Sequence, residues 1–390
     1  MAILTEENTG DINGYRVGVH HLVDPRIDRC KKHALGDIVT MALGGVLSGA
    51  MGWVGVAQWA EGRAEWLGTF LDMPNGVPSH DTFDRVFSML DPDELASCLS
   101  TWDETLRDEL TPPSGVIAID GKRLRRCFGQ AGKKSALHLL TAWASDARVV
   151  LAQQRVGDGN NEITEIPALL RKIDVSGCIV TIDAIGAQQK IVAQLTEKKA
   201  DYVIGLKGNQ KGLLNDAKAH IDNACARGFK TRSGETLMHD THRHVDSGHG
   251  RIETRTVTAV SVGPYFHQTH PGWPSITSFI RVHRTRDSGV VTSEETTYFI
   301  SSLKANHADM LGAAVRAHWS IENDLHWTLD TQMNEDQCRL YKGHGPENFA
   351  LLRRHALSKL KNERSVKAGT RNKQLRAAAS TDYLLKLLAI

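Results

Sequence analysis

The sequence predicts an α/β protein in which a mixed-sheet core carries a β-rich insertion and follows a helical N-terminal domain. Three observations predict it. Two β-branched hydrophobic runs, Val116-Ile117-Ala118-Ile119-Asp120 and Cys178-Ile179-Val180-Thr181-Ile182-Asp183, each end in an aspartate. Between and after them, strand-like and helix-like segments alternate, as a mixed sheet requires. The first hundred residues instead show apolar positions at helical spacing.

In the N-terminal part, Asp37 caps a helix through Leu47, and Trp53 to Phe70 reads as a second helix. Pro74-Asn75-Gly76-Val77-Pro78 is a turn, after which Ser79 caps a helix containing Phe83, Val86, Phe87 and Leu90. Helix, glycine turn, helix fits either a DNA-reading motif or a plain helical hairpin. Strands follow at Val116–Asp120, Ala136–Ala144 and Val149–Val156, then a helix at Ile163–Ile173. A fourth strand at Cys178–Asp183, a helix at Gln188–Lys198 and a fifth strand at Tyr202–Leu206 complete the set. Three strands, helix, strand, helix, strand is the order of a ribonuclease-H-like core. A helix near Leu213–Ala226 leads into short β-like runs at Glu253–Ser261, Thr277–His283 and Thr296–Ser301. Helix returns from Ala308 to Leu329, and a basic helical tail starts near Glu347 and frays after Lys361. The expected units are residues 1–108 (helical), 109–345 (the core, with its β-rich insertion at about 227–301) and 346–390 (the tail).

A net charge of +2 hides an asymmetry. Arg339 to Arg376 holds eleven Lys/Arg against two acids, and Gly121 to Lys134 holds six basic residues and no acid. Such segments suit a polyanionic partner or a solvated helical surface. The six cysteines are scattered without a C-x-x-C pair, so neither a zinc ribbon nor a disulfide framework is indicated. The start Met-Ala-Ile-Leu-Thr-Glu-Glu lacks the basic and apolar regions of a signal peptide, and the expectation is a cytoplasmic protein. Ile38 to Ala60 is uncharged over 23 residues, but its five glycines and acidic flanks Asp37 and Glu61 read as closely packed helix rather than a membrane span.

A terminal residue of a buried strand sits at the sheet rim, so Asp120 and Asp183 can meet at one edge, and Glu322 on the late helix is a third candidate. Three carboxylates suit hard divalent cations and two-metal phosphoryl transfer. On the same helix, His318, Glu322 and His326 are four apart and form a rival transition-metal set. His239, His242, His244 and His249 are another possible metal cluster.

At this level of motif detail the chain resembles the DDE transposases of bacterial insertion sequences, in particular the H repeat-associated (ISAs-type) group. The resemblance rests on Lys31-Lys32-His33-Ala34-Leu35-Gly36-Asp37, Trp59-Ala60-Glu61-Gly62-Arg63 and Asn75 to Phe83 in the N-terminal part. In the core it rests on Ile119-Asp120-Gly121-Lys122, Asn161-Glu162-Ile163-Thr164, Thr181-Ile182-Asp183-Ala184 and Leu206-Lys207-Gly208-Asn209-Gln210. It ends with His318 to Asn323 and Leu325 to Asp330. The resemblance implies that Asp120, Asp183 and Glu322 are catalytic and hold two Mg²⁺ ions, with Mn²⁺ as a substitute. It implies double-stranded DNA partners (the terminal inverted repeats and a target), a homo-oligomer that brings two ends together, and no membrane. A decayed DNA-binding relative and a metal-dependent nuclease of the same fold are the alternative readings.

Lys122, Arg123, Arg125 and Arg126 directly follow the first aspartate and are candidates for phosphate contact, alongside a solvated basic turn. Sister transposases carry a Tyr, an Arg and a Lys around the catalytic glutamate where this chain has Val315, His318 and Leu329. Arg316 and Lys207 are the candidate replacements for those cations. The resemblance also implies an aromatic residue in the insertion that stacks on a base, and Trp273 is the candidate, alongside a Trp simply packed under the Pro271–Pro274 loop.

Overall fold

The computed structural model describes residues 22–100, 115–128, 136–248 and 250–389. Lys133, Lys134 and His249 of the sequence reading lie outside the described residues. The N-terminal helices are α1 (Leu35–Leu47), α2 (Trp53–Glu61), α3 (Ala64–Leu67), α4 (His80–Met89) and α5 (Pro92–Ser100). The expected helix from Trp53 to Phe70 is therefore two, broken at Gly62-Arg63. Ser79 caps α4 as expected, accepting from the Thr82 amide. Gly44 lets α1 and α2 touch, because a Cβ there would sit 2.5 Å from the edge of the Trp59 ring. The uncharged stretch is thus two short packed helices, and no described helix is long and apolar enough to cross a membrane.

The sheet strands are β1 (Val116–Phe128), β2 (Ala136–Ala144), β3 (Val149–Arg155), β4 (Ile179–Ile182), β5 (Asp201–Leu206), β6 (His239–Gly248), β7 (Arg251–Ser261), β8 (Ser278–Asp287) and β9 (Thr292–Ser301). Their spatial order is β3-β2-β1-β4-β5-β9-β8-β7-β6. Strands β3, β2 and β1 are antiparallel, while β1, β4 and β5 run parallel. This is a ribonuclease-H-like core. The parallel crossovers use α6 (Glu162–Arg171) and α7 (Gln189–Glu197), and α8 (Lys211–Ala226) follows β5. The β-rich segment is not a separate sheet. Strand β9 pairs antiparallel with β5, Val203 opposite Ser301, and so extends the core sheet by four strands. A short helix, α9 (Pro264–Thr269), bridges β7 and β8.

Strands β8 and β9 run about four residues beyond the expected Thr277–His283 and Thr296–Ser301, and two other strands depart further from the sequence reading. β1 continues to Phe128 because Gly121, Lys122 and Arg123 pair with Leu140, Leu139 and His138 of β2. The expected basic turn is therefore strand. β6 was not expected at all. Its ten residues contain one apolar side chain, Val245, and it exists because every residue pairs with β7 at the sheet edge. A polar edge strand has no alternation for a sequence to reveal.

The last helices are α10 (Ala308–Ser320), a wide π-helical turn at Ile321–His326, α11 (Trp327–Thr331), α12 (Gly345–Asn362), α13 (Thr370–Ala379) and α14 (Thr381–Ala389). The chain does not fray after Lys361: Tyr383, Leu384 and Leu387 are buried in the main core. Nor is α12 a solvated or substrate-facing basic surface. It is buried along its length among the N-terminal helices, with Phe349 edge-on to Trp53 and Asn348 donating to the carbonyls of Phe87 and Leu90. Two of its cations find partners inside: Arg354 pairs with fully buried Glu335 at 2.6 Å, and Arg353 donates to the Met51 carbonyl and lies over the Phe349 ring, while Lys373 of the next helix, α13, donates to the Leu360 carbonyl of α12. A net-charge count cannot distinguish such inward charges from a surface patch.

Glu347, in the first turn of α12, is 8% exposed, and burial pushes its carboxyl up to about 7. An acid whose folded-state pKa is raised binds more protons folded than unfolded, so it costs stability as pH rises from about 4.5 to 7. Glu347→Gln should therefore raise stability at pH 8 by on the order of 2 kcal/mol and have much less effect at pH 4.5. Urea unfolding at both pH values measures the difference.

Candidate active site

Strand geometry builds the first element. Alternation in β1 sends Ile117 and Ile119 to the core beneath α6 and α7, and Ala118, Asp120, Lys122 and Leu124 to the opposite face. The parallel register sets Ala118 beside Thr181 and Ile119 beside Ile182, so Asp183 comes one step past the end of β4, near Asp120 at the sheet rim. Asp183 starts a 3₁₀ turn at Ala184–Gly186, and its Oδ1 accepts from the Ile185 amide at 2.9 Å. Turn former and cleft residue are thus the same side chain. The Leu206–Gln210 motif props this turn: Asn209 donates to the Ala184 carbonyl at 2.6 Å and Gln210 to the Ala187 carbonyl at 2.8 Å.

Glu322 comes from above. It lies in the π turn between α10 and α11, where Ile321, Leu325 and Leu329 are buried against the same core as Ala118, Leu124 and Trp143. Trp143 and Ser145 tie the end of α10 to the sheet, through the Ser320 hydroxyl and the Ala317 carbonyl. Wide helical turns of this kind are rare and concentrate at functional sites.

Asp120, Asp183 and Glu322 all line one cleft of about 850 Å³. Burial pushes the Asp120 carboxyl up to about 7, opposed by the Gly121 amide and reinforced by the charges of Glu322, Asp183 and Glu162. The Glu162 contribution was not anticipated. Glu162 bonds His138 at 2.8 Å against the far face of β1, where Gly121 leaves room for them. A Cβ on residue 121 would sit 2.8 Å from His138 Nε2. That contact explains a glycine after Asp120 and the proximity of the Asn161–Thr164 motif. Among the described residues, no three carboxylate, imidazole or thiol side chains are already gathered as an ion cage.

The imidazoles of the rival metal set border the same carboxylates. His318 Nδ1 lies 3.2 Å from the Thr181 hydroxyl. His326 Nδ1 approaches Asp120 Oδ2 at 3.6 Å, too long for a hydrogen bond, and its Nε2 is buried without a partner. Burial lowers the pKa of both, that of His326 to about 3, so both rings are neutral near pH 7. In the other cluster, His242 and His244 lie on one face of β6, while His239 faces the other way and stacks on Phe229 at 3.7 Å.

The remaining candidates divide. Lys207 is exposed and Arg316 lines the cleft, the latter paired with Asp246 at 2.7 Å. Arg123, Arg125 and Arg126 are exposed along β1, outside the cleft lining, and Arg125 pairs with Asp336. Lys122 is a correction. It is 9% exposed, and its ammonium contacts both Asp330 oxygens at 2.6 Å, so it does not face a DNA groove. Trp273 is a second correction, because it is 5% exposed inside the core beneath the sheet and offers no open ring face.

Sequence reasoning missed the cleft wall. Register places Arg255 opposite Arg284, Glu253 opposite Arg286 and Arg284 opposite Glu295. Period-two projection then puts Arg251, Arg255, Arg284 and Arg286 on the cleft-facing side, interleaved with two acids. An open indole lining the cleft is Trp319, 46% exposed, three residues before Glu322 and beneath the Arg284 guanidinium at 5.6 Å. The signal was alternate-position arginine in two runs, legible only once both are known to be strands.

Comparison with known proteins agrees with this architecture. Residues 111–358 match the Transposase DDE domain family, and residues 19–103 match the DDE_Tnp_1-associated family. The H repeat-associated protein YhhI of Escherichia coli K12 is 32% identical over 363 residues, covering 92% of this chain and 93% of YhhI. A protein of the dhlA 3′ region of Xanthobacter autotrophicus is 38% identical over 280 residues, 71% of this chain and 90% of its own length. The piggyBac transposase synaptic complex with hairpin DNA aligns over 98% of this chain and 79% of its own, at 13% identity and a TM-score of 0.40, too remote to carry residue roles. With the family match spanning most of the chain and YhhI aligning nearly end to end, this chain belongs to the DDE transposases, in the H repeat-associated group.

Proposed function

We propose that this chain is the transposase of an insertion sequence. It binds the terminal inverted repeats, cleaves DNA at the element ends and joins them to target DNA, with Asp120, Asp183 and Glu322 as its catalytic carboxylates. The observation that carries the proposal is the convergence of all three on one cleft, where Asp120 responds to the charge of the other two.

The donor set fits magnesium. All three side chains offer hard oxygens, and Mg²⁺ takes a few carboxylates and completes its shell with water and phosphate. Burial, and after it the neighbouring negative charges, raise the proton affinity of Asp120, and a divalent cation relieves the repulsive part. Two such ions, when bound, polarise the phosphate and stabilise the attacking and leaving oxygens. The chain's own residues do the rest. Lys207, Lys218 and Arg251 supply positive charge along the cleft to hold a phosphodiester backbone. The arginines of β7 and β8 are pre-oriented by Glu253, Glu295 and Asp246, so less side-chain freedom is lost when a phosphate docks. Neutral His318 and His326 flank Glu322 without adding charge that would oppose a cation. In this reading the protein acts in the cytoplasm on the nucleoid, and two or more copies synapse the two ends.

Incubation with Mg²⁺ and a duplex oligonucleotide carrying the genuine element end tests the proposal. Cutting followed by joining supports it; cutting alone points to a nuclease, and binding without cutting to a decayed relative. Asp120→Asn, Asp183→Asn and Glu322→Gln should each slow cleavage by on the order of 10²-fold or more while leaving metal-free DNA binding intact. Full cleavage by any one of them removes that residue from the set. For the cleft wall, Lys207→Ala and Arg251→Ala should each reduce the slope of log affinity against log salt by about 1. An unchanged slope places that cation outside the DNA path.

A further inference from the structure

The helical segment that carries Glu322 meets the sheet along one stripe. His318, Glu322, His326 and Asp330 recur every four residues, and three of them have a defined partner on the strands below. His318 meets Thr181 of β4, His326 approaches Asp120 of β1, and Asp330 takes Lys122 of β1. Asp120 and Lys122 project from the same face of β1, roughly 7 Å apart along the strand. The Lys122–Asp330 contact therefore lies beside the point where the first carboxylate strand and the third carboxylate's helix cross.

This contact differs from an ordinary surface ion pair. The Lys122 ammonium reaches both oxygens of Asp330 at 2.6 Å and stands 3.7 Å from Asp336, with the lysine side chain only 9% exposed. It links positions 208 residues apart in the chain. The segment it anchors, α11, is the C-terminal end of one unbroken helical run that passes from α10 through the π turn, so the contact fixes the free end of the run that carries Glu322. After it the chain turns at once through Asn334, in a left-handed conformation, into Glu335 and Asp336.

We propose that Lys122 and Asp330 are positioning residues that set the separation between Asp120 and Glu322. They act through the helix rather than on DNA, and the inference rests on those two carboxylates being catalytic. Removing either charge frees the C-terminal end of this helical run to shift along β1, and Glu322, about two turns earlier, shifts with it.

The test uses the full chain and three variants. In Asp330→Asn and Lys122→Met, hydrogen–deuterium exchange of residues 321–331 should rise at least fivefold, while α1 and α12 keep their protection. Single-turnover cleavage of the end oligonucleotide in Mg²⁺ should fall at least tenfold, and DNA affinity in EDTA should stay within twofold. Lys122→Arg keeps the pairing with a longer, forked head. There, exchange should remain as in the unmodified protein while cleavage falls at least threefold, which separates spacing from stability. Unchanged exchange of residues 321–331 in Asp330→Asn overturns the clamp, whether or not the protein cuts DNA. Faster exchange with undiminished cleavage overturns the positioning role. Failure of the unmodified protein to cut overturns the functional reading alone, because the exchange arm still decides the clamp. Should the two neutral variants fail to fold, full cleavage by Lys122→Arg overturns the proposal.

Discussion

The arrangement of the cleft depends on one packing contact, the seating of the Glu322-bearing helical segment on the upper face of β1 and β2. Ile321, Leu325 and Leu329 enter the same core as Ala118, Leu124 and Trp143, and that core continues into the N-terminal helices and α12. Burial of each such side chain is worth about 1.5–3 kcal/mol, so this seam is a large fraction of a marginal total stability. The polar contacts that steer the cleft, from Trp143 to Ser320 and from Lys122 to Asp330, operate on a surface already brought together by apolar burial.

That seam also explains why the chain keeps so many charges inside. A helix placed between the N-terminal bundle and the sheet must satisfy its cations locally, because an unpaired buried charge is costly. Arg354 therefore meets Glu335, and Lys373 of the adjoining α13 reaches backbone carbonyls, where a sequence count suggests a basic surface. The acids that follow α11 serve two directions: Glu335 faces α12, and Asp336 faces Lys122 and Arg125 of β1. The region after the cleft helix thus joins the first and last parts of the sequence.

Much of the fold was legible because its core obeys simple periodicities. The runs ending at Asp120 and Asp183 are short, β-branched and buried, and the helices between them carry apolar residues at helical spacing, so the core order could be read directly. The three carboxylates could be named because their motifs are local. Other features could not be read this way. β6 is polar throughout, so only its pairing with β7 makes it a strand. Trp273 and Trp319 look alike in sequence, yet one is enclosed beneath the sheet and the other lies open in the cleft. Nothing in either local context encodes that difference.

Sequence alone determined the family and nominated its candidate carboxylates, because residue type, strand periodicity and motif order are properties of short segments. Tertiary structure decided which charges face outward. It turned Lys122 from a candidate DNA contact into the partner of Asp330, made the basic C-terminal helix a buried strut and assembled the arginines of β7 and β8 into one wall. The physical reason is that a side chain's partner is set by register and by packing between segments hundreds of residues apart. Local sequence records a side chain's charge and length but not the group it will meet.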